Sequence, residues 1–307
     1  MQRWLCINCS KSVIKPRPDL RQALLLERFV AWLLSKQSQT ELNLSYENRT
    51  WRRQVAWCWQ IVPQPSLTGE VHYAIVLDGI HIGDQVCLIA RTTDYVVSWQ
   101  WAVAESTATW SKLLGSLPAP RFVVCDGQKG VLGAVAQCWP TTDIQRCMFH
   151  VWLHIFAKLR GKHRSEAAKM LLVVVQAMFR VQTTDDRVIW EAQLAIWEVT
   201  YGDHVKARAH YQSSIPGKRR WRYSDPRLKA AHFHLTKLLT NHQLFTYIDH
   251  PNPRLPRTTN HVEGGINSQI RTRLKLHRGM SAAHQYRLVD WYLYGRTEDP
   301  KPPRNVR

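Results

Sequence analysis

Apolar and polar positions follow two different periods along the chain, and each period predicts a different type of secondary structure. After Asp19, apolar residues recur at helical spacing, which predicts a helix capped by Asp19 with one buried face. Ser38 and Glu41 have the spacing of a capping box and predict a second, short helix. Asn48 predicts the cap of a third helix containing residues 50–55.

Three short helices in succession are typical of a helix-turn-helix, and 19–65 is interpreted as such a DNA-binding region. In this motif the third helix enters the major groove, where basic and amide side chains contact base edges and phosphates. The candidate contact residues are Arg52, Arg53 and Gln54. A small helical bundle with a solvated basic face fits the same spacing equally well.

From Val71 the apolar pattern changes to that of β-strands. Strands are predicted at 71–77, 85–91, 95–104, 122–125 and 142–145, with a helix on either side of the fourth strand. Three antiparallel strands, a helix, a strand, a helix and a strand is the order of the ribonuclease H-like fold. Residues 155 to about 250 have a helical pattern throughout, which predicts an inserted all-helical domain with a buried stretch at Met170 to Phe179. The predicted fold class is therefore α/β.

Two aspartates, Asp78 and Asp126, each follow a predicted buried strand and each precede a glycine. Ligands of mixed sheets gather at the carboxyl ends of strands. Asp-Gly is also a common tight-turn dipeptide, and this bland explanation is favoured for either aspartate taken singly. Two aspartates at the ends of neighbouring strands favour a metal-binding pair.

Charge is distributed unevenly among 42 basic and 23 acidic residues, which give a net charge of +19. Residues 1–70 carry 10 basic and 5 acidic side chains, 71–154 carry 5 and 6, and 155–307 carry 27 and 12. A basic balance is typical of polyanion binders, and nucleic acid is the leading partner. A middle segment that avoids positive charge suits a carboxylate site for divalent cations.

Composition and motifs exclude several other classes of protein. No apolar stretch is long enough to span a membrane, and the start of the chain lacks the pattern of a secretory signal, so a cytoplasmic, nucleoid-associated location is expected. Phosphate-binding loops, H-E-x-x-H and G-x-S-x-G are absent from the sequence, so ATP-driven, zinc-peptidase and α/β-hydrolase chemistry lack support. The tail, 295–307, is expected to be disordered.

Near the carboxyl end, Asn260 and Glu263 stand at capping-box spacing before a basic helix, so Glu263 could simply close its first turn. A functional interpretation makes Glu263 a third carboxylate, with basic residues of the following helix directed to DNA phosphates. Those candidate DNA-binding residues are Arg271, Arg273, Lys275 and Arg278.

At the other end, Cys6 and Cys9 form a C-x-x-C pair of the type that supplies two ligands to structural zinc. Four ligands are needed, so the pair is half of a zinc ribbon, and two free thiols are the favoured interpretation. Zinc is expected only if an upstream half-site exists. We hypothesise a truncated amino terminus, which predicts another in-frame C-x-x-C in the DNA immediately upstream.

Four motifs in order, covering about residues 3–294, resemble the Mutator-like transposases of bacterial insertion sequences, in the superfamily with an Asp-Asp-Glu catalytic triad. They are Leu77-Asp78-Gly79 with His81-Ile82, Val124-Cys125-Asp126-Gly127, Gln145 to His150, and Thr259 to Gly264. The resemblance implies a ribonuclease H-like catalytic core, interrupted by a helical insertion, and names Asp78, Asp126 and Glu263 as catalytic metal ligands.

The resemblance also implies a set of domains, cofactors and partners. The domains are a zinc-ribbon remnant (1–18), the helix-turn-helix region (19–65), the first part of the core (70–154), the helical insertion (155–255), the helix with the catalytic glutamate (256–294) and the tail. Two Mg²⁺ ions, replaceable by Mn²⁺, would be the cofactors of two reactions on double-stranded DNA. The first is cleavage at the element ends, and the second joins the resulting 3′-hydroxyl to target DNA. A homodimer is expected to hold the two ends, and no membrane partner is expected.

Two other functions fit parts of the sequence. The first is a catalytically silent or domesticated DNA-binding protein derived from a transposase, and the second is a ribonuclease H-like nuclease of repair. The presence of Asp78, Asp126 and Glu263 together favours an enzyme over a silent DNA-binding protein. Specific binding to terminal repeats would distinguish a transposase from a repair nuclease.

Cys147 and His150 match a C-x-x-H signature of the family, and the sequence leaves their role open. They share a helix face with His154, so a zinc cluster is one interpretation. Core packing with a hydrogen bond is the favoured one, because no fourth ligand is evident.

Overall fold

The computed structural model describes residues 3–5, 7–10, 12–14, 18–42, 48–161, 165–210, 221–250, 252, 255–259 and 265–306. Two predicted site residues, Cys6 and Glu263, lie outside these ranges. No helix within the described residues is long and apolar enough to cross a membrane.

Strands and helices alternate through the middle of the chain, as an α/β protein requires. The strands are β1 (Arg3–Leu5), β2 (Ser12–Ile14), β3 (Ala74–Ile82), β4 (Gln85–Arg91), β5 (Val96–Ala102), β6 (Phe122–Cys125), β7 (Asp143–Arg146), β8 (Arg208–His210) and β9 (Trp221–Tyr223). The helices are α1 (Pro18–Leu34), α2 (Asn48–Val55), α3 (Thr107–Leu114), α4 (Lys129–Cys138), α5 (Met148–Leu159), α6 (Glu166–Ala177), α7 (Thr184–Lys206), α8 (Pro226–Thr240), α9 (Ser268–Leu276) and α10 (Ala282–Tyr294). The predicted α/β class is confirmed.

The chain divides into two compact units, one made of 1–66, 95–98 and 266–307, and the other of 67–94 and 99–265. The larger sheet of the described residues has five strands in the order β5-β4-β3-β6-β7. Strand β3 pairs antiparallel with β4 and parallel with β6, and β6 pairs parallel with β7. All four residues of β6 are fully buried, which explains why this strand is a continuous apolar run.

One sequence-based prediction about this sheet is wrong. Asp78 does not end its strand, because β3 continues to Ile82 and turns at Gly83 and Asp84. The dipeptide Asp78-Gly79 is paired with Ile89 and Leu88 of β4, so antiparallel pairing overrides the local turn signal. Asp126, in contrast, lies directly after β6, as predicted.

Helices α5 to α8 form most of the segment that the pattern predicts to be all-helical. The predicted stripe of Trp190, Leu194 and Trp197 is buried in α7. Two details differ from the prediction. Strands β8 and β9 form a hairpin between α7 and α8, and the stretch 170–179 alternates between buried and exposed residues because only one side of α6 packs inward.

In the unit that contains both ends of the chain, α1 begins at Pro18, so Asp19 lies in its first turn instead of preceding it. The predicted capping box is present, with Ser38 N donating to Glu41 Oε2 at 2.6 Å, but it opens a 3-10 turn. Helix α2 begins at Asn48, so Asn48 is its first residue and not the preceding cap that was predicted.

The tail differs from the expectation of disorder. The main-chain oxygen of Arg296 accepts a hydrogen bond from Val96 N at 2.8 Å, and Arg304 forms an ion pair with Glu27 at 3.5 Å. A 3-10 turn at Pro303–Asn305 packs on α1. These long-range contacts explain why a polar, proline-containing segment is ordered.

Candidate active site

The register of β3 and β6 relates the position of Asp78 to that of Asp126. Each residue pair between these strands differs by 48 positions, from Ala74 and Phe122 to Val76 and Val124. Asp78 and Asp126 have the same offset, two positions beyond the last of these pairs, and Asp126 follows the end of β6. Neighbouring strands are about 4.8 Å apart, so we expect the two aspartates to lie close together.

Asp126 is held by hydrogen bonds on both sides. Its Oδ1 accepts from Gln128 N at 2.9 Å, which closes a local turn before α4. Its main-chain oxygen accepts from Nε and Nη2 of Arg146, at 3.1 and 2.7 Å. Arg146 lies on β7 opposite Cys125, so the strand beside β6 supplies the group that fixes the turn.

Gly127 is required between these contacts. Its φ of +78° is in the left-handed region, and a Cβ at this position would lie 1.7 Å from the guanidinium carbon of Arg146. A side chain at position 127 would therefore displace the guanidinium that holds Asp126.

Another carboxylate near Asp126 belongs to Glu105, and no signal in the sequence points to it. It lies between β5 and α3, and its Oε1 is 3.2 Å from Nε2 of His81. Burial raises the pKa of the Glu105 carboxyl, and the negative charge of Asp126 raises it further against the opposing contact with His81. The effect of Asp126 on this pKa is consistent with Glu105 lying near Asp126.

Gly79 makes room for this carboxylate within β3. A Cβ at position 79 would lie 2.8 Å from Oε1 of Glu105, which is closer than van der Waals contact. The close approach also explains why a strand contains glycine beside Asp78. Because Glu105 belongs to a connecting segment, only tertiary structure brings it here.

The donor chemistry of this site suits a hard divalent cation. Carboxylate oxygens are the ligands that Mg²⁺ and Mn²⁺ take in proteins, and Asp126 and Glu105 both carry such oxygens. Within the described ranges, no group of three or more His, Cys, Asp or Glu residues has the arrangement of a metal site. The proposed binding of a divalent cation therefore rests on the carboxylates of Asp78 and Asp126. Glu263 lies outside the described residues.

Cys147 and His150 lie at the start of α5, close to a distant part of the chain. The buried sulfur of Cys147 accepts hydrogen bonds from N and Oγ1 of Thr259, at 3.2 and 3.4 Å. Nδ1 of His150 lies 3.5 Å from the same Oγ1. This arrangement agrees with core packing plus hydrogen bonding, and the described residues show no zinc cluster that includes His154.

The candidate DNA-binding residues of α2 lie on its outer side. Arg52 and Arg53 are exposed and Gln54 is half-buried, whereas Trp51 and Val55 are buried. Arg52 donates from Nε to Oε1 of Gln39 at 3.2 Å. The two guanidinium groups are therefore accessible to solvent.

The four basic candidates on and after α9 differ in their surroundings. Arg271, Lys275 and Arg278 are exposed. Arg273 is half-buried, donates from Nε to the main-chain oxygen of Leu34 at 2.9 Å, and lies 4.8 Å from the ring centroid of Tyr292. Arg273 thus has partners inside the protein, whereas the side chains of the other three are exposed.

One cysteine of the C-x-x-C pair, Cys9, lies between two short strands at the amino terminus. Strands β1 and β2 pair antiparallel, and Cys9 lies exposed in the connection between them. Because Cys6 lies outside the described residues, the zinc half-site stays a prediction.

Residues 93–212 match the model of the family described as Transposase, Mutator family. The chain resembles the Mutator transposases, as its motifs indicated. This chain is 27% identical over 112 residues to a protein of Lactococcus lactis subsp. lactis (strain IL1403). That relative is named "Transposase for insertion sequence element IS905". That similarity covers 34% of this chain and 28% of the relative.

The Mutator match covers part of the candidate site. Asp126, Cys147 and His150 lie within the matched segment, whereas Asp78 and Glu263 lie outside it. The resemblance predicted from the motifs is confirmed, and the activity of the whole chain is a proposal.

Proposed function

We propose that this protein is the DNA transposase of an insertion sequence, with a ribonuclease H-like catalytic core. The observation that carries the proposal is the register of the parallel strands β3 and β6, whose offset of 48 residues is also the offset between Asp78 and Asp126. The strand order β5-β4-β3-β6-β7 supports such a core, with β3 antiparallel to β4 and strands β3, β6 and β7 parallel to one another. The Mutator match supports the same function.

Asp78, Asp126 and Glu263 would hold two Mg²⁺ ions, or Mn²⁺ in their place. When bound, such ions activate an attacking oxygen and stabilise a leaving oxygen in phosphodiester cleavage. The protein's own contribution is to hold Asp126 between Gln128 and Arg146, so that its carboxylate is in place before substrate binds. Water would first release a 3′-hydroxyl at the element end, and that hydroxyl would then attack target DNA.

DNA binding is assigned to two basic surfaces. The helix-turn-helix region would present Arg52, Arg53 and Gln54 to the major groove. The exposed Arg271, Lys275 and Arg278 would contact phosphates, which fits the net charge of +19. A homodimer would hold the two ends of the element.

A DNA cleavage and joining assay tests this function. The purified chain is incubated with duplexes from the DNA that flanks its reading frame, with Mg²⁺ or Mn²⁺, and the products are sequenced. Cuts at the element ends that leave 3′-hydroxyls, followed by joining to a target plasmid, are expected. Specific binding to terminal repeats without cuts would indicate the silent DNA-binding protein, and cuts without preference for the repeats would indicate a repair nuclease.

A further inference from the structure

Cys147 connects two segments that are distant in sequence. Its main-chain N donates to the oxygen of Cys125 at 2.8 Å, and Cys125 directly precedes Asp126. Its sulfur accepts from N of Thr259 at 3.2 Å, across 112 residues of chain. Thr259 stands four residues before Glu263.

The segment that ends at Thr259 has further contacts to the same region. The main-chain oxygen of Arg257 accepts from Met148 N at 3.0 Å, and Nη1 of Arg257 donates to the oxygen of Val181 at 3.0 Å. Thr259 itself is fully buried. The segment is therefore attached at two successive points to the start of α5.

The sulfur of Cys147 is suited to accepting these bonds. Burial by itself raises the pKa of the Cys147 thiol, but hydrogen bonds from His150 and Thr259 outweigh it and lower the pKa below its ordinary value. The same interactions favour the thiolate, which accepts hydrogen bonds more strongly than a thiol does. His150 thus supports the bond between Cys147 and Thr259.

We propose that Cys147, supported by His150, is a positioning residue that anchors residues 255–259 against the strand leading to Asp126. The inference rests on the proposed function, because anchoring this segment, which precedes Glu263 in the sequence, matters for catalysis only if Glu263 serves the same site as Asp126. The C-x-x-H signature then acts through hydrogen bonds and needs no metal.

The first test is independent of catalysis. Amide hydrogen exchange at Thr259 is compared in the wild type, Cys147→Ala and Cys87→Ala, a matched control that truncates another fully buried cysteine, on β4. Exchange at Thr259 should accelerate about tenfold in Cys147→Ala, as expected for the loss of one hydrogen bond, and stay unchanged in Cys87→Ala. Equal exchange in the two variants would overturn the proposal even if the protein cuts DNA.

The second test separates positioning from a merely structural role. In the cleavage assay, Cys147→Ala should lower kcat at least about tenfold and leave KM for DNA within about twofold, because DNA contacts are intact. Cys147→Ser, which retains an acceptor, should recover part of kcat, and Thr259→Val should behave like Cys147→Ala. Loss of activity that follows only the loss of folded protein would overturn the assignment.

Measurement of the zinc content of the purified protein tests whether Cys147 binds a metal instead. Zinc content that is lost in Cys147→Ala and retained in Cys9→Ala would overturn the proposal in favour of a metal site at α5. If the wild type cuts no DNA but Thr259 exchange still depends on Cys147, the anchoring stands and the proposed transposase function fails.

Discussion

Gly127→Ala should destabilise the protein and disturb Asp126, because two separate costs coincide at this glycine. Alanine in the left-handed region costs about 1–2 kcal/mol. Its Cβ would overlap the guanidinium of Arg146, so the two hydrogen bonds to the oxygen of Asp126 would be lost. Loss of bonds from a charged donor adds about 1.5–3 kcal/mol, for a total of about 2.5–5 kcal/mol.

A matched control separates the two costs. Gly69 has a φ of +73°, and a Cβ added there would have no other atom within 4 Å, so Gly69→Ala should cost only the conformational part, about 1–2 kcal/mol. Urea unfolding of both variants measures the difference.

A double-mutant cycle refines the same measurement. In an Arg146→Ala background the overlap is gone, and Gly127→Ala should cost no more than Gly69→Ala does. If Gly127→Ala costs the same with and without Arg146, the guanidinium does not hold the turn and the reasoning is refuted.

Three further predictions concern binding, metal affinity and pH. Arg271→Ala should weaken DNA binding and flatten its salt dependence, whereas Arg273→Ala should mainly lower the urea midpoint; identical salt slopes for wild type and Arg271→Ala would exclude a phosphate contact. Glu105→Gln should reduce the rate of DNA cleavage at limiting Mn²⁺, because it removes negative charge near Asp126, and excess Mn²⁺ should restore that rate. A cleavage defect that does not depend on the Mn²⁺ concentration would contradict this role of Glu105. Burial, aided by neighbouring positive charges, lowers the pKa of His234 from 6.5 to about 4. As the pH falls, His234 of the unfolded chain therefore takes up a proton before His234 of the folded chain does. The free energy of unfolding should decrease between pH 6.5 and about 4. His234→Gln should flatten that fall in thermal melts, and an unchanged pH profile would argue against it.

Local sequence signals predicted the inner strands well. The expected strands 85–91 and 122–125 coincide with β4 and β6, because both are apolar runs bounded by turn residues. The end of β3 was misplaced, since Asp78-Gly79 has the local signature of a turn and only pairing with β4 carries the strand through it.

Contacts between distant residues could not be predicted in the same way. Glu105 lies in a connecting segment, and nothing in its neighbours along the chain indicates that it faces Asp126. The hydrogen bond between Cys147 and Thr259 joins residues 112 positions apart. Helix and strand periodicity relates only residues that are near in sequence, so it could not predict this contact. The pairing of the two aspartates stays a prediction, and the parallel register of β3 and β6 is the physical argument for it.

The measurement that tests the central claim most directly is the rate of cleavage at the element end in Mg²⁺ for the wild type, Asp78→Asn, Asp126→Asn and Asp203→Asn. Asp203 is an exposed aspartate of α7, and its variant controls for the loss of one negative charge. We predict that Asp78→Asn and Asp126→Asn bind the DNA end but do not cut it, and that Asp203→Asn cuts like the wild type. Cleavage at the wild-type rate by a folded Asp78→Asn or Asp126→Asn variant would contradict the assignment of this aspartate pair as the metal-binding site of a transposase.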